Sequence, residues 1–195
     1  MKFSENIFKM IKYELIFATD KDGIIGITDA SGNQRLAFNC REDMRHFRKT
    51  TMDHILVMGR KTFESLPKRP LPGRIHVVLT NTPAKYETEY KNSNSVFFTQ
   101  LEHLDNVIGT LLELYPDKRV FVCGGEEIYR ILLPKCERLH VTYVTDTYSS
   151  VLCENETYTR FPKEEEWRPH YKEIDLVASD FDDDSSLVRR TYVKI

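Results

Sequence analysis

The chain has 195 residues, an ordinary length for a single domain, and 41% of them are hydrophobic, which is enough to bury a full core. Its 28 basic and 30 acidic residues give a formal net charge of -2, which argues against a nucleic-acid binder held by a basic face and against a disordered polyelectrolyte. The longest apolar runs, such as ILVM and VFVC, are four residues long, so no segment is predicted to span a membrane.

The first residues and the cysteines indicate the compartment. The N-terminal sequence MKFSENIFKMIKYE mixes charges with apolar residues and has no continuous apolar region, so no signal peptide is predicted. The four cysteines form no C-x-x-C pair and the six histidines are scattered singly, which predicts neither a metal site nor a disulfide framework. Few cysteines and no export signal predict a cytoplasmic location.

The first predicted strand covers residues 13–19, with the sequence YELIFAT. A turn-rich stretch with three glycines follows at residues 20–38, and its length and glycines predict a mobile lid. A helix is then predicted over residues 41–51, with Asn39 as its N-cap and Glu42 as the capping-box partner three residues later.

Apolar strands and amphipathic helices alternate along the rest of the chain. Strands are predicted at residues 54–59, 75–80, 95–98, 119–123 and 138–145. Helices are predicted at residues 60–66 and 101–115, and from the Gly-Gly pair to a stop at Pro134, whereas the polar residues 86–94 are predicted to be a surface excursion.

From Trp167 onwards the sequence predicts two long strands joined by an acidic turn at residues 180–186. The fold class that follows is α/β, with a central mixed, mostly parallel sheet flanked by helices and a C-terminal antiparallel hairpin. Residues 1–195 are predicted to form a single domain, in which residues 1–11 are an N-terminal extension.

Two strand-to-helix junctions have the same design, ILVMG-RKTFES and VFVC-GG-EEIYRILLP. Each buried strand ends in glycine and a helix begins at once, which offers N–H donors to a phosphate. The first junction adds Arg60, Lys61 and the Thr62 hydroxyl. Either junction alone is more simply a tight turn, but the pair together indicates a nucleotide with two phosphate regions. Neither is a G-x-G-x-x-G fingerprint, which disfavours a standard Rossmann site.

Asp43 is a candidate catalytic residue in the predicted helix REDMRHFRKT. It lies one turn from Phe47, so the apolar edge of the helix carries a carboxylate. A carboxylate that faces a cleft needs a partner, and desolvation raises its pKa. The alternative is a solvent-facing aspartate in the first helical turn, and this window alone favours that alternative.

Several motifs occur in one order along the chain: LIFATDKDGIIG, REDMRHFRKTT, VMGRKTFES, RPLPGR, VFVCGGEEIY, LHVTYV and FP. In these motifs the chain resembles the dihydrofolate reductases from Tyr13 to its C-terminus, and GRKTFES followed by RPLPGR is a highly specific combination. The resemblance implies NADPH-dependent reduction of 7,8-dihydrofolate to tetrahydrofolate, in support of one-carbon and thymidylate metabolism. It also implies that antifolates bind.

The resemblance implies roles for individual residues. Asp43 falls on the single acidic active-site position, and Thr142 on the threonine that hydrogen-bonds it. The implied substrate-binding residues are Ala18, Phe38, Met44, Phe47, Leu66, Leu71, Arg74 and Cys123, with Arg74 on the position that pairs the folate α-carboxylate. The implied cofactor-binding residues are Ala18, Ile25, Gly26, Gly59, Arg60, Lys61, Thr62, Thr80, Asn81, Gly124, Gly125, Glu126, Glu127, Ile128 and Tyr129. In the family the Gly-Gly pair is joined by a cis peptide.

Three departures from the family pattern affect the loop and the rate. The loop after Gly26 is several residues longer than in short bacterial members, Ala37-Phe38 replace a Pro-Trp pair, and Tyr158-Thr159 replace an Asp-Thr pair. Phe38 therefore lacks the indole N–H donor. Two alternatives stay open: a same-fold reductase of riboflavin synthesis, and a non-catalytic folate- or NADPH-binding protein. A monomer is expected, unless the chain is fused to thymidylate synthase, with no membrane or nucleic-acid partner.

Overall fold

The computed structural model describes residues 11–144, 152–174 and 187–195. In chain order the strands are β1 (Tyr13–Thr19), β2 (Ile24–Thr28), β3 (Gln34–Leu36), β4 (Ile55–Gly59), β5 (Ile75–Leu79), β6 (Val96–Thr99), β7 (Val120–Val122), β8 (Cys136–Val144), β9 (Thr157–Arg160), β10 (Tyr171–Ile174) and β11 (Leu187–Lys194). The α-helices are α1 (Arg41–Thr51), α2 (Arg60–Ser65), α3 (Glu87–Tyr90), α4 (Leu104–Leu114), α5 (Glu126–Leu132) and α6 (Glu164–Trp167). No helix in these ranges is both long and apolar enough to cross a membrane.

Eight of these strands form one sheet in the order β10-β11-β8-β1-β7-β4-β5-β6. Pairing is parallel from β8 through β6, and antiparallel where β11 meets β8 and β10. The predicted fold class is confirmed: a mixed, mostly parallel sheet with a C-terminal antiparallel hairpin. In open α/β sheets ligands bind outside the carboxyl ends of the parallel strands, so this edge is where a site is expected.

The central strands are apolar on both faces because each face of the sheet is covered. On one face Val57 and Val122 pack with Ile108 of α4 and Leu132 of α5. On the other face a second cluster forms around the buried Phe63 of α2. Burial on both faces explains why β4, β5 and β7 are continuous apolar runs rather than alternating ones.

Residues 20–38 are more regular than the predicted turn-rich lid, and that prediction was wrong in its secondary structure. β2 pairs with β3 and with β9 in a separate three-stranded sheet. The Asp20 carboxylate accepts the N–H groups of Asp22 and Ile24 at 2.9 Å each and shapes the turn into β2. Gly23 and Gly32 supply positive φ angles in the two turns.

The start of α1 also differs from the prediction. The N-cap residue is Cys40, whose extended backbone precedes the helix with no side-chain cap hydrogen bond. Asn39 lies one residue too early and is exposed, so its amide has no role as the cap. The predicted capping box is therefore absent from this helix end, and the Glu42 carboxylate, in the first turn, instead accepts the Cys40 thiol and pairs with Arg45, each at 3.9 Å.

The predicted surface excursion at residues 86–94 is partly structured and partly buried. A 3-10 turn at Pro83–Tyr86 leads into α3, and Tyr86 stacks on Phe98 with ring centroids 4.3 Å apart. Aromatic packing therefore ties this polar segment to β6.

Smaller corrections concern the helix ends. The predicted helix at residues 101–115 begins as a 3-10 turn at Leu101–His103, and Pro134 lies within a 3-10 turn rather than ending the helix abruptly. Trp167 ends α6 instead of beginning a strand. The acidic turn at residues 180–186 and the first ten residues lie outside the described ranges.

One ion-pair cluster near the amino ends of the central strands predicts how stability depends on pH. Burial alone would raise the pKa of Glu14, but hydrogen bonds from His140, at 2.7 Å, and from Arg119 lower it to about 2. The folded pKa lies below the usual 4.5, so the stabilisation is present above pH 4.5 and is lost as pH falls towards 2.

We expect Glu14→Gln to lower the free energy of unfolding by about 2–3 kcal/mol at pH 7 and by clearly less near pH 3. Urea unfolding at the two pH values measures the difference. Glu137→Gln is the matched control, because Glu137 forms only an exposed pair with Lys12 at 3.6 Å and should change stability little. An equal loss from Glu14→Gln at both pH values would contradict the assignment.

Candidate active site

A buried carboxyl group lies where α1 crosses the carboxyl ends of β1 and β8. Asp43 receives a hydrogen bond from the Thr142 hydroxyl, and Thr142 is the register partner of Ala18 in the neighbouring strand. Burial raises the pKa of Asp43, while the Thr142 hydrogen bond and the positive charge of Arg189 act in the opposite direction. Asp43 therefore faces the cleft, and the solvent-facing alternative does not describe it.

Apolar side chains from three segments form one wall beside this acid. Phe47 of α1, Leu66 after α2 and Leu71 of the RPLPGR turn pack against the same buried cluster, and Cys123 joins them at the end of β7. Met44, also of α1, is 45% exposed and is not part of that cluster. The wall suits a flat aromatic ligand.

Arg74 is the last residue of the RPLPGR motif and is a buried cation. Its Nε donates to the Pro72 carbonyl at 3.1 Å, and only 7% of its surface is exposed. Burial and the nearby Arg48 lower its pKa. Within the described ranges no carboxylate forms an ion pair with Arg74, so the guanidinium can bind an acidic group of a ligand.

His76 belongs to this wall, although the sequence analysis did not identify it. Its ring is completely buried; Nε2 accepts the Leu71 N–H at 3.3 Å and Nδ1 lies 3.4 Å from the Ser95 carbonyl. These contacts require a neutral ring with its proton on Nδ1, and burial lowers the pKa of His76 to about 4. His76 therefore fixes the turn that carries Leu71 and leads into Arg74.

The two glycine junctions meet directly. Gly59 N–H donates to the Gly124 carbonyl at 2.8 Å, and the Gly124–Gly125 peptide is cis, as the family resemblance implied. A Cβ atom on Gly59 would lie 3.1 Å from Ile128 Cγ1, and one on Gly125 would lie 3.1 Å from Thr62 Oγ1. A larger residue at either position would force these side chains to shift, so glycine favours the close approach of the two junctions.

The basic residues of the first junction differ in their partners. Arg60 pairs with Glu64 at 2.6 Å, and Glu64 also accepts the Tyr86 hydroxyl at 2.7 Å. Lys61 is exposed and makes no ion pair with the residues that the structure describes. A Cβ atom on Gly32, in the β2–β3 turn, would lie 3.5 Å from Lys61 Nζ. The turn therefore reaches the first junction.

Gln34 of β3 is a second residue that the sequence analysis missed. Its Oε1 lies 3.3 Å from the position of a Cβ atom on Gly125, beside Thr62. The three-stranded sheet therefore reaches the second junction as well. Gly26 of β2 is equally confined, since a Cβ atom there would lie 3.0 Å from the Arg35 carbonyl oxygen.

The other predicted cofactor residues differ in their burial and in their hydrogen-bond or ion-pair partners. Thr80 and Asn81 lie at the end of β5, and Thr80 Oγ1 accepts the Thr82 N–H at 3.3 Å. Glu126 pairs with Arg130, Glu127 is exposed, and Ile25 packs against the core.

Tyr129 is buried beneath the Gly-Gly pair. Its hydroxyl donates to the Ile16 carbonyl at 3.0 Å, and its ring contacts Gly124. The Tyr129 ring therefore packs beside the Gly-Gly junction, and its hydroxyl links that junction to β1.

The residues that depart from the family pattern lie in an apolar cluster and in the three-stranded sheet. Phe38 is buried with Ile24, Ala37 and Val144, and Ala18 packs against this cluster. Thr159 of β9 lies 2.9 Å from the Thr28 hydroxyl across the small sheet. Phe38 thus fills apolar space beside the cleft, where it has no hydrogen to donate.

Known proteins share this fold and sequence. The family model for dihydrofolate reductase matches residues 12–186. The chain is 34% identical to dihydrofolate reductase type 9 of Escherichia coli, covering 69% of this chain and 71% of that protein. It is 36% identical to the dihydrofolate reductase of Mycobacterium leprae, covering 69% and 72% of the two chains.

A solved dihydrofolate reductase of Enterococcus faecalis, complexed with NADP(H) and the compound RAB-propyl, superposes with a TM-score of 0.64 at 25% identity, over 94% of this chain and 96% of that one. The chain belongs to the dihydrofolate reductase family. The predicted family, activity and use of NADPH are thereby confirmed.

His76→Leu tests whether this histidine positions the substrate wall. The change leaves the Leu71 N–H without an acceptor, so the turn that leads into Arg74 loses its anchor. We expect the KM for dihydrofolate to rise roughly tenfold, equivalent to about 1.4 kcal/mol, with the KM for NADPH unchanged. Steady-state kinetics with each substrate varied measures both constants. Equal increases in both would mean that His76 supports the fold as a whole.

Proposed function

We propose that the cleft around Asp43 and Arg74 is the site at which this chain reduces 7,8-dihydrofolate. The reaction adds a hydride to C6 and a proton to N5 of the pterin. Asp43 carries the proposal, because a single desolvated carboxyl group beside an aromatic wall suits a ring that must be both bound and protonated.

The two glycine junctions fit the phosphates of NADPH. Their glycines leave room that a Cβ atom would fill, and the amide of Gln34 and the hydroxyl of Thr62 border that room. NADPH supplies the hydride when it is bound there. Lys61 and Arg60 would pair with its 2′-phosphate, with Lys61 the stronger partner because Arg60 is already paired with Glu64.

The substrate would lie along the apolar wall. Arg74 would pair with the α-carboxylate of the glutamate, and a guanidinium can do so with two parallel hydrogen bonds. Phe47, Leu66 and Leu71, with the more exposed Met44, would contact the benzoyl group. Ala18, Phe38 and Cys123 would border the pterin.

Proton delivery is the part of catalysis assigned to Asp43. Its ionised form would accept hydrogen bonds from the amidine edge of the pterin, while a proton reaches N5 through water. Thr142 orients the carboxyl group by donating to it. The remaining rate enhancement would come from positioning C6 against the cofactor and from excluding water.

The combination of Asp43 and Arg74 supports folate over the substrate of the riboflavin-pathway alternative. The buried Arg74 has no acidic partner in the described part of the chain, and folate brings a carboxylate to that point. A cytoplasmic location and a monomer outside any fusion are further proposals. The first is supported by four free cysteines.

Asp43→Asn keeps the shape of the side chain and removes both its charge and its titration. We expect NADPH binding to stay intact and dihydrofolate turnover at pH 7 to fall by at least roughly a hundredfold. Turnover should recover partly at lower pH, because solvent can then protonate N5. Stopped-flow absorbance of NADPH oxidation measures the rate. Glu42→Gln, one residue away, is the matched control, and near wild-type turnover in Asp43→Asn would exclude Asp43 from proton delivery.

Lys61→Ala tests cofactor selection. We expect the KM for NADPH to rise roughly tenfold and that for NADH to change little, because only NADPH carries the 2′-phosphate. Arg60→Ala should have a smaller effect, since Arg60 is already paired with Glu64. Lys68→Ala, which removes an exposed lysine beyond the same helix, serves as the charge control. Equal losses with both cofactors would show that Lys61 contacts something they share.

A further inference from the structure

A groove of about 340 Å³ lies between α1 and the sheet, separate from the crevice at the carboxyl ends of the strands. Its lining comes from α1, from the residues that precede β4 and β7, and from β8 and β11. Of the described residues that line it, five are lysines or arginines, three are histidines and none is acidic. Such a concentration of one charge is unexpected in a chain whose formal net charge is -2.

Some of these cations are neutralised within the protein. The Glu14 carboxylate accepts hydrogen bonds from Arg119 and His140, and Glu173 accepts one from Arg190 at 3.0 Å. These contacts hold Arg119 and His140 in fixed positions at the groove. They also occupy the Glu14 carboxylate. Arg138, which is the register partner of Glu14 across β1 and β8, therefore makes no ion pair with it.

Arg189, a third cation of the lining, donates to the Glu42 carbonyl at 3.4 Å and places its charge near Asp43. The remaining two cations have no such neighbour. Lys49 in the last turn of α1 and Arg138 of β8 make no ion pair with any residue in the ranges that the structure describes. Like charges that share a concave surface repel one another, which an anion of matching charge relieves. Lys49 and Arg138 together carry two positive charges that no described carboxylate pairs with, which suits a dianion.

The groove also offers a neutral hydrogen-bond donor among its lining residues. Nδ1 of His54 accepts the Arg119 backbone N–H at 3.2 Å, which places the ring proton on Nε2. Burial, together with the charges of Arg119 and Lys118, lowers the pKa of His54, so the ring is a neutral donor at pH 7. A neutral N–H beside guanidinium groups is suited to the oxygens of a compact oxyanion.

We propose that this groove binds a small multivalent oxyanion of the phosphate class, held by Lys49, Arg119 and Arg138 with a hydrogen bond from His54. Its volume is near the lower end of small-molecule sites, so a phosphate monoester or a diphosphate fits it better than a large ligand. The groove is distinct from the substrate wall, because Phe47, Leu66 and Leu71 do not line it, and Lys49 and Arg138 belong to neither of the sites proposed above.

Calorimetric titration with inorganic pyrophosphate tests the proposal. The protein is first saturated with NADP⁺ and folate, so that the anion sites of the crevice are occupied, and ionic strength is held constant with chloride. We expect saturable binding at one site. Lys49→Ala combined with Arg138→Ala should weaken it roughly tenfold or more, while melting temperature and dihydrofolate turnover stay at wild-type values.

The control variant Lys163→Ala with Lys172→Ala removes the same charge from exposed positions elsewhere and should bind pyrophosphate like the wild type. Equal affinity in the groove variant and the wild type would overturn the proposal, as would the absence of saturable binding. A short single-stranded oligonucleotide is titrated in parallel. Binding of the oligonucleotide through Lys49 and Arg138, without pyrophosphate binding, would assign the groove to nucleic acid and would also overturn it.

Discussion

The arrangement of the cleft depends on one buried carboxyl group. Desolvation disfavours the ionised form of Asp43, and the Thr142 hydroxyl and the charge of Arg189 offset only part of that effect. The hydrogen bond to Thr142 joins α1 to β8, and β8 lies beside β1 in the centre of the sheet. The helix, with Phe47 of the apolar wall, and the end of the sheet are therefore positioned around a group whose proton is held more tightly than in a free aspartate.

The opposite side of the cleft depends on glycine. The Gly59–Gly124 hydrogen bond brings two strand-to-helix junctions together, and a Cβ atom on Gly125 would press against the Thr62 hydroxyl at 3.1 Å. The three-stranded sheet then reaches over both junctions through Gln34 and Gly32. Cofactor and substrate sites thus share one edge of the central sheet, as expected for an open α/β fold.

The local sequence pattern predicted the strands that are buried on both faces. Strands covered on both faces are continuous apolar runs, so β4, β5 and β7 could be read from the sequence. The small sheet could not, because β2 pairs with β9 more than a hundred residues later along the chain and β3 has only three residues. Periodicity does not report such non-local pairing, and a glycine-punctuated segment of this kind resembles a loop.

The site residues also divide into those that the sequence could predict and those that it could not. The family resemblance located Asp43 and Thr142, whereas the helix window alone favoured an exposed aspartate. The Gly-Gly junction was recognisable because its composition is unusual. His76 and Gln34 were not recognisable, because their positions matter only through the Leu71 N–H and the neighbouring Gly125. A single histidine in an apolar strand carries no signal of the backbone group that it will bind.

The protonation of Asp43 is the most direct test of this account. Carbon-13 NMR of the aspartate carboxyl groups, assigned with Asp43→Asn, measures its pKa in the ligand-free protein. The account predicts a pKa above the usual 3.8, raised further in Thr142→Val because the hydroxyl that stabilises the ionised form is then missing. A pKa at or below 3.8, or one that Thr142→Val leaves unchanged, would contradict a desolvated carboxyl group held by Thr142.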